Sequence, residues 1–485
     1  MAVVKNPSLK KNAIYNMAYQ ILTILTPLIT SPYLSRTLGP EGIGTFSYSQ
    51  SIANYFFLFA MLGVNNYGNR MIAQHRSNRK DLSDTFWQIY YMQMSQALLL
   101  CGLYFGFSIM FVSPEEKLIF LIQGLQIVSV FFDINWFAFG LEQFKLTTIR
   151  NTIIKFFTII SIFLFVKTAD DLWKYALIVV MGTILGLIAV WPLVLSRTDF
   201  ETPQISQIKK HIKPNVVLFI PYIANSVFQY MDKIMLGAMW DTSSVGFYSY
   251  AENILNVPLG LTTAICTVCM PRVSNLYSAG AEQKAGELLE KVVHYMLILN
   301  IALCCGIIAV APRFIPLYLG QGYETTGELL QILALMLPIY GSASVLRMLY
   351  LIPYGKDRVY AGAVVAGAVV NLCGNAITIP FIGAIGACTM TLLANLTVLI
   401  IQMVATRAEK PYAQWIKKNI PYLVSGVIMI GLVKVILSFV NNPAASVMFG
   451  IIFGGIFYVV VAGFYLIKVE KDDFVMMRLQ RCRKR

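Results

Sequence analysis

The sequence predicts an all-α integral membrane protein with about 14 transmembrane helices. Of its 485 residues, 57% are hydrophobic and only 13% are charged, whereas an ordinary soluble domain has about 25% charged residues. The mean hydropathy is +0.66, which is too high for a protein that buries its apolar residues in one soluble core. The charged residues also occupy short stretches between long uncharged runs. Together these observations exclude a disordered chain and a small disulfide-rich domain.

The uncharged runs define the predicted spans, since about 20 apolar residues cross ~30 Å of hydrocarbon. The first run is expected to be a retained span rather than a cleaved signal peptide, because it is long, contains Pro27 and Pro32 and has no small-residue cleavage site. The connections are short, so no folded extramembrane domain is expected. The predicted spans lie near 13–34, 42–64, 84–111, 118–139, 148–166, 173–195, 215–237, 244–270, 291–311, 325–352, 359–380, 384–406, 419–440 and 445–467.

Basic residues predict the orientation, because cytoplasmic loops of membrane proteins are enriched in Lys and Arg. With the N-terminus inside, 29 of the 38 Lys and Arg residues fall in cytoplasmic segments, 5 in outer segments and 4 within spans. This asymmetry accounts for the net charge of +14 without a nucleic-acid partner. Both termini are therefore predicted to be cytoplasmic.

Cysteine and histidine usage predicts neither a disulfide framework nor a metal site. Seven of the eight cysteines lie in apolar runs, where free Cys behaves as a small hydrophobic residue, and Cys482 lies in the basic tail. Cys266 and Cys269 have the spacing of a redox pair, but their apolar helix favours packing. The three histidines are far apart in the sequence and are expected in loops or at helix ends.

The sequence also lacks the motif of a P-loop ATPase. The Gly355-Lys356 pair is followed by Asp357, and Tyr350 stands where the first glycine of the motif belongs. No cofactor is expected. A membrane glycosyl transferase or polymerase stays open as another class, although such enzymes normally have larger outer loops.

An internal repeat divides the chain. A shift of 202 residues superimposes Lys11 on Lys213, and five of the eleven positions from 44 to 54 are then identical. Both copies start inside, at spans 1 and 7, as a duplication of six helices requires. Transporters built from such repeats place a site between the two lobes. We predict an N-lobe at 1–207, a C-lobe at 208–410, and appended spans 13 and 14 with a basic tail at 411–485.

Ionisable residues inside spans are candidates for function, since each costs roughly 2.5–3.5 kcal/mol at mid-helix on insertion scales. Lys434 is expected to extend its amine to the interface. The side chain of Asp133 is too short to reach the interface in this way. An ion pair between Asp133 and Lys155 is a structural alternative to a functional role.

Span 7 has the densest set of polar residues. Asn225, Gln229 and Asp232 follow at spacings of four and three, which predicts a common helix face, and Lys233 comes next. We interpret this face as part of a polar, partly cationic cavity, with ordinary interhelical hydrogen bonding as the alternative. Further candidates from other spans are Arg36, Tyr48, Arg70, Tyr250, Glu252 and Arg347.

The segments that contain these residues resemble a known family. Ser35-Arg-Thr-Leu-Gly-Pro-Glu-Gly-Ile-Gly44 is similar to the opening of the Wzx-type polysaccharide-exporter flippases of the multidrug/oligosaccharidyl-lipid/polysaccharide superfamily. Asp232-Lys-Ile-Met-Leu-Gly237 and Val245-Gly-Phe-Tyr-Ser249 are similar to their signature across spans 7 and 8. The resemblance covers essentially the whole chain and implies a MATE-like fold of two six-helix lobes.

The resemblance also implies a function. Such proteins move undecaprenyl-diphosphate-linked oligosaccharides across the bacterial cytoplasmic membrane by alternating access, for capsule, O-antigen or other surface polysaccharides. The substrate-binding candidates are then Arg36, Arg70, Lys233 and Arg347, with Asn225, Gln229, Tyr48 and Tyr250 beside them. Asp133, Asp232 and Glu252 are candidates for coupling to protons or sodium. Membrane lipids and other polysaccharide-assembly proteins are the expected partners.

Two alternatives of the same architecture stay open. One is a flippase for lipid II, the peptidoglycan precursor, although that branch tends to have more arginines in its first span. The other is a cation-coupled drug or metabolite antiporter, which would favour an anionic cavity.

Overall fold

The computed structural model describes residues 9–470, and it describes their side chains except at 9–21, 24, 146, 217, 218, 220–222 and 224. Within this range the chain is helical and contains no strand, which agrees with the predicted all-α class. The predicted basic tail from residue 471 onward, including Cys482, lies outside the described residues. The seven cysteines inside the range are free thiols.

The α-helices follow one another with short connections. They are α1 (Leu9–Met61), α2 (Val64–His75), α3 (Arg79–Phe111), α4 (Lys117–Val128), α5 (Asn135–Gly140), α6 (Phe144–Phe165), α7 (Leu172–Ile188), α8 (Trp191–Arg197), α9 (Ile205–Ser226), α10 (Asp232–Met239), α11 (Thr242–Ser278), α12 (Glu282–Leu319), α13 (Glu324–Ala334), α14 (Met336–Leu346), α15 (Asp357–Ala405), α16 (Tyr412–Phe439) and α17 (Pro443–Phe464). Short 3₁₀ segments occupy Ser129–Phe132 and Ala169–Asp171, and π-turns occupy Val227–Met231, Arg347–Leu351 and Tyr465–Val469.

Ten helical segments in the described part are long and apolar enough to cross a membrane. The segment Asp357–Ala405 contains two predicted spans, because its backbone breaks at Ile382 and Gly383, where Gly383 has φ 52°. Helix α1 likewise contains a break at Gly39, with φ 70°, between predicted spans 1 and 2. Only glycine adopts such positive φ values without strain. The protein is thus a multi-pass membrane protein, while the count of 14 spans stays a prediction.

The chain forms two compact units, which we call unit 1 (Met1–Ser249) and unit 2 (Tyr250–Arg485). The lobe boundaries at 207/208 and 410/411, which came from the sequence repeat, stay a prediction. Unit 1 has an aromatic core in which Phe86 stacks on Trp136 at 5.4 Å between ring centroids. Trp136 is fully buried.

The repeat-matched glycines contact each other inside unit 1. A Cβ built on Gly44 would lie 1.6 Å from the carbonyl oxygen of Thr242, and one on Gly246 would lie 2.1 Å from that of Pro40. Each built Cβ would also lie 3.1–3.2 Å from the other glycine's amide nitrogen. Helices α1 and α11 therefore cross at a distance that only glycine permits.

In unit 2, the two appended helices pack on α12. Tyr422 and Met429 of α16 and Tyr458 of α17 share one buried cluster with Ile301 and Cys305 of α12. The Tyr458 hydroxyl donates to the carbonyl of Ile298 at 2.9 Å. Predicted spans 13 and 14 are therefore integral to the core of unit 2.

Candidate functional site

The polar part of predicted span 7 lies in unit 1, where α9 joins α10 through the π-turn Val227–Met231. Asp232, the first residue of α10, is 2% exposed. Its Oδ2 accepts a hydrogen bond of 2.6 Å from the hydroxyl of Tyr248. Since π-turns are rare and occur frequently at functional sites, the turn marks this segment as a candidate site.

The π-turn also changes the helix face that the sequence predicted. Asn225 is half-buried, Gln229 is exposed and Asp232 is buried. The predicted face requires 3.6 residues per turn throughout, and a π-turn rotates the residues that follow it relative to those before. Lys233, next to Asp232, is half-buried.

Tyr48 lies against this segment from α1. A Cβ built on Gly237 of α10 would lie 2.4 Å from the Tyr48 ring, so the glycine permits the ring to contact the helix backbone. The other side of the ring meets Phe120 edge-on, with 5.8 Å between centroids. Tyr48 thus positions α10 by packing.

Two predicted cationic residues of unit 1 are exposed. Arg36 on α1 donates from Nη1 to the carbonyl of Pro32 at 2.7 Å. Arg70 on α2 places its guanidinium carbon 5.8 Å from the centroid of the Tyr67 ring, within the range of a cation–π contact.

Asp133 lies where predicted span 4 is broken between α4 and α5. Its Oδ1 accepts from the backbone N–H of Asn135 at 3.0 Å and from the Asn135 amide at 2.8 Å. The Asn135 side-chain oxygen in turn accepts from Arg150 at 3.2 Å. The structural alternative, an ion pair with Lys155, is not among the ion pairs of the described residues. The carboxylate instead satisfies the first backbone N–H of α5.

The carbonyl groups freed by this break are also satisfied. Side chains from α3 and α8 donate to four consecutive carbonyls at distances of 2.6–3.1 Å, as backbone at membrane depth requires. The contacts are Gln93 to Val130 and Asp133, Tyr90 to Phe131, and Trp191 to Phe132. A structural role accounts for every contact of Asp133 described here.

Arg347 begins the second π-turn, Arg347–Leu351, in unit 2. Its Nη1 donates to the Tyr360 hydroxyl at 3.4 Å, and the guanidinium carbon lies 5.5 Å from the Tyr360 ring centroid. The side chain is half-buried, and among residues 9–470 no carboxylate forms an ion pair with it. A half-buried cation of this kind is suited to an anionic ligand.

The remaining candidates lie at the start of unit 2. Tyr250 is 2% exposed and meets the Tyr323 ring edge-on at 5.5 Å, so it contributes packing. Glu252 is half-buried. The candidates therefore divide between the units, with Arg36, Tyr48, Arg70, Asp133, Asn225, Gln229, Asp232 and Lys233 in unit 1 and Tyr250, Glu252 and Arg347 in unit 2.

Three polar groups that the structure shows in buried clusters were not predicted from the sequence. Tyr248 was noted only as part of the Val245–Ser249 signature, yet it is the hydrogen-bond donor to Asp232. Two histidines expected in loops or at helix ends, His211 and His294, are buried inside helices with polar partners. No sequence signal pointed to these partners, which are distant along the chain. In the described part, no group of three or more His, Cys, Asp or Glu side chains could hold a metal ion.

Two family models match the sequence. The model described as polysaccharide biosynthesis protein matches residues 9–277, which is more than half of the chain. The MatE model matches residues 218–377. The two matches overlap in predicted spans 7 and 8. Span 7 contains the candidates Asn225, Gln229, Asp232 and Lys233.

The relatives have low sequence identity to this chain, but the similarity extends over most of its length. The chain is 23% identical over 371 residues to an O-antigen transporter of Escherichia coli K12, covering 75% of this chain and 88% of the relative. It is 24% identical over 405 residues to one of Shigella dysenteriae, covering 82% of this chain and all of the relative.

Two solved structures share the fold. The lipid II flippase MurJ in an inward closed conformation has a TM-score of 0.77 at 16% identity, covering 94% of this chain and 98% of that one. An inward-facing multidrug transporter of the MATE family has a TM-score of 0.61 at 13% identity, covering 82% and 97%. At these identities the likeness concerns the fold alone.

Proposed function

We propose that this chain, which belongs to the polysaccharide biosynthesis protein family, is a flippase that moves lipid-linked oligosaccharide repeat units across a membrane. The family match over residues 9–277 is the observation on which the proposal depends. The relatives named as O-antigen transporters support it, and they support a transporter rather than an enzyme. The resemblance noted in the sequence is confirmed by these findings.

The physical task explains why such a protein is needed. A diphosphate headgroup with several sugars would lose its water on entering ~30 Å of hydrocarbon, and each hydroxyl or charge would be left unsatisfied. Amide, hydroxyl and cationic side chains replace that hydration during passage, while the prenyl tail stays in lipid. A moderate number of cations also permits release of the substrate.

We propose the following substrate contacts. Four cationic side chains bind the diphosphate and any acidic sugars. Two of them are Arg347 and Arg70, which stack on Tyr360 and Tyr67, and the other two are Arg36 and Lys233. Asn225 and Gln229 contact sugar hydroxyls. Tyr48 supports α10 by packing, and Tyr250 packs on Tyr323.

We further propose that the gradient of a proton or of sodium drives transport, without a cofactor. Asp232 is the first candidate carrier because it is buried and bound by Tyr248. Glu252 is the second. Asp133 is placed last because its carboxylate caps α5.

The cellular setting follows from the same proposal. The chain lies in the bacterial cytoplasmic membrane with both termini in the cytoplasm, and it delivers repeat units for capsule, O-antigen or other surface polysaccharides. Other polysaccharide-assembly proteins take the product. The fold shared with MurJ makes a lipid II flippase the second candidate function. The MATE-like fold leaves a cation antiporter as the third.

Purified protein in liposomes tests the proposal. A fluorescent undecaprenyl-diphosphate oligosaccharide is placed in the inner leaflet, and its appearance in the outer leaflet is followed by quenching. We expect faster appearance with the protein than without it, and a rate lowered at least ~10-fold by Arg347→Ala, since charge-assisted contacts contribute about 1.5–3 kcal/mol. Arg347→Lys should keep part of the rate because the charge is retained.

Arg358→Ala is the matched control, since Arg358 is an exposed arginine near the start of α15 and should not alter the rate. Lipid II and a cationic dye are offered in parallel. Movement of lipid II alone would transfer the proposal to the second candidate, and movement of the dye alone to the third. A full rate for Arg347→Ala in correctly inserted protein would remove Arg347 from the site.

A further inference from the structure

A buried polar cluster in unit 2 contains none of the candidate substrate residues. It contains His294 on α12, Lys418, Asn419 and Tyr422 on α16, and Glu470 just after the π-turn that ends α17. His294 is 4% exposed at its side chain and Glu470 is 10% exposed. The cluster thus joins the last described residue of the chain to two helices of the unit 2 core.

The hydrogen-bond partners determine the charge on His294. Its Nδ1 lies 3.1 Å from the Oδ1 of Asn419. The orientation of that amide is set by its own nitrogen, which donates to the Trp415 carbonyl at 2.8 Å. The oxygen therefore faces the ring, so Nδ1 must be the N–H donor.

The second ring nitrogen faces a carboxylate. Nε2 of His294 lies 3.0 Å from Oε2 of Glu470. The two atoms are within ion-pair distance but do not meet the geometry of a hydrogen bond, so the contact is electrostatic. In a neutral ring protonated at Nδ1, the negative end of the ring dipole at Nε2 would lie beside a carboxylate oxygen and be repelled by it. A second proton removes this repulsion and makes the pair an ion pair, so the contact requires one proton more than the neutral ring has.

Other groups favour placing that proton on the histidine. The Tyr422 hydroxyl donates to Oε1 of Glu470 at 2.8 Å, and the Lys418 amine lies 3.4 Å from Oε2. Both contacts stabilise an ionised carboxylate. The ring of Tyr465 lies next, 5.5 Å from the ring of Tyr422.

Other charged groups lie on the elements around the pair, including Lys417 on α16 and Lys468, two residues before Glu470. On α12 itself, Glu290, Lys291 and Tyr295 are the titratable neighbours in sequence. Helices α14 and α17 contain no charged residue, and the two glutamates of α13 are in its first five residues, next to the opposite end of α12.

We propose that His294 and Glu470 form a proton-binding site that fastens the end of α17 to α12 and α16. With the proton bound, the imidazolium bridges Asn419 and Glu470. When the proton leaves, the contact to Glu470 becomes repulsive and the end of α17 separates from the core of unit 2. The predicted orientation places this end at the cytoplasmic side, so the attachment follows cytoplasmic proton concentration. This inference does not depend on the proposed substrate.

Histidine-selective ¹⁵N labelling gives a direct test, because the chain contains only three histidines. The full-length protein is placed in lipid nanodiscs and its imidazole ¹⁵N signals are recorded at pH 7. We expect one doubly protonated ring, whose signals disappear in His294→Gln. In Glu470→Gln the same ring should become neutral, because the carboxylate that holds the proton is gone. A neutral His294 in the wild type, or a charged one in Glu470→Gln, would overturn the proposal.

Hydrogen–deuterium exchange of the peptide that ends α17 tests the attachment. Amides of residues 465–470 should exchange about ten- to a hundredfold faster in Glu470→Gln than in the wild type, from the usual contribution of bonds to charged groups. The wild type should approach that rate as pH rises, after correction for intrinsic exchange. His75→Gln is the matched control and should show wild-type rates. Equal rates in the wild type and Glu470→Gln would show that the pair does not hold the end of α17.

Discussion

Each unit contains one buried histidine in a polar cluster, and the two clusters favour different protonation states of the ring. His211 in unit 1 is 2% exposed and His294 in unit 2 is 3% exposed. The Nδ1 of His211 faces the Tyr67 hydroxyl at 2.6 Å, and its Nε2 faces the Gln88 side-chain oxygen at 3.0 Å. A hydroxyl donates and an amide oxygen accepts, so a neutral ring satisfies both contacts. The partners, and not the degree of burial, decide the charge.

The electrostatic surroundings of His211 act in the same direction. Burial lowers the pKa of His211 to about 4, and the nearby charges of Lys210 and His75 contribute to the decrease. His294 has a carboxylate in the corresponding place. At equal burial, a hydroxyl partner therefore stabilises a neutral histidine and a carboxylate partner stabilises a cationic one.

Among the experiments that test this difference between the two clusters, His211→Ala should have the largest effect. Removal of the buried ring leaves a cavity and leaves Tyr67 and Gln88 without their partner, which should lower the free energy of unfolding by about 2–4 kcal/mol. Denaturation followed by tryptophan fluorescence measures it, since five of the six tryptophans lie in unit 1. His75→Ala, a half-buried histidine on α2, should change the value by no more than about 0.5 kcal/mol. Equal losses in both variants would contradict the network.

The pH dependence of stability should be the next largest effect. The pKa of His211 is about 4 in the folded state and about 6.5 in an unfolded chain, so the unfolded chain binds the proton first. The stabilisation is fully present above pH ~6.5 and is lost as pH falls towards 4. The midpoint of unfolding should therefore decrease over this range in the wild type and decrease less in His211→Gln. If the midpoint decreased equally with pH in the wild type and in His211→Gln, His211 would not be the cause of the pH dependence.

Removal of one hydroxyl from each cluster should have a smaller and unequal effect. Tyr67→Phe leaves the buried Nδ1 of His211 without a donor, which should lower the free energy of unfolding by about 1–3 kcal/mol. Tyr422→Phe leaves Glu470 with His294 and Lys418, so a loss of only about 0.5–1.5 kcal/mol is expected. Chemical denaturation of the two variants in the same detergent compares them. A larger loss for Tyr422→Phe would show that His294 and Lys418 do not compensate Glu470 for the lost hydroxyl.

The smallest effect is expected from Lys418→Met. The lysine is 38% exposed and its amine lies 3.4 Å from Glu470, and such exposed pairs contribute about 0.2–1 kcal/mol. Because salt screens exposed charges, the difference between wild type and variant should disappear at high ionic strength. A difference that persisted in salt would place Lys418 among the essential members of the cluster.

The fold could be predicted from the sequence to a large extent. Apolar runs between charges predict membrane helices because each segment responds to the bilayer by itself, whatever its neighbours are. The predicted spans 359–380 and 384–406 leave a gap of three residues, and the break in α15 lies in that gap at Ile382 and Gly383. The close contact of Gly44 and Gly246 gives a physical reason for the identity that revealed the repeat.

The candidate site was less predictable. The spacing of Asn225, Gln229 and Asp232 predicted one face, but the intervening π-turn leaves Gln229 exposed and Asp232 buried. Asp133 was singled out correctly as a residue that needs a partner, yet its partner is Asn135 rather than Lys155. In both places the local backbone departs from a regular helix, and regular periodicity contains no information about such departures.

Composition and charge order alone determined that this is a multi-pass helical membrane protein, and local motifs placed it among the polysaccharide exporters. Only the tertiary structure decided that His211 is neutral and that His294 faces Asn419 and Glu470, residues more than 120 positions away along the chain. The two properties differ in how much of the chain determines them. Partition into a bilayer depends on the ~20 residues of one segment, whereas the protonation of a buried side chain depends on atoms within about 4–6 Å of it, whichever part of the chain supplies them.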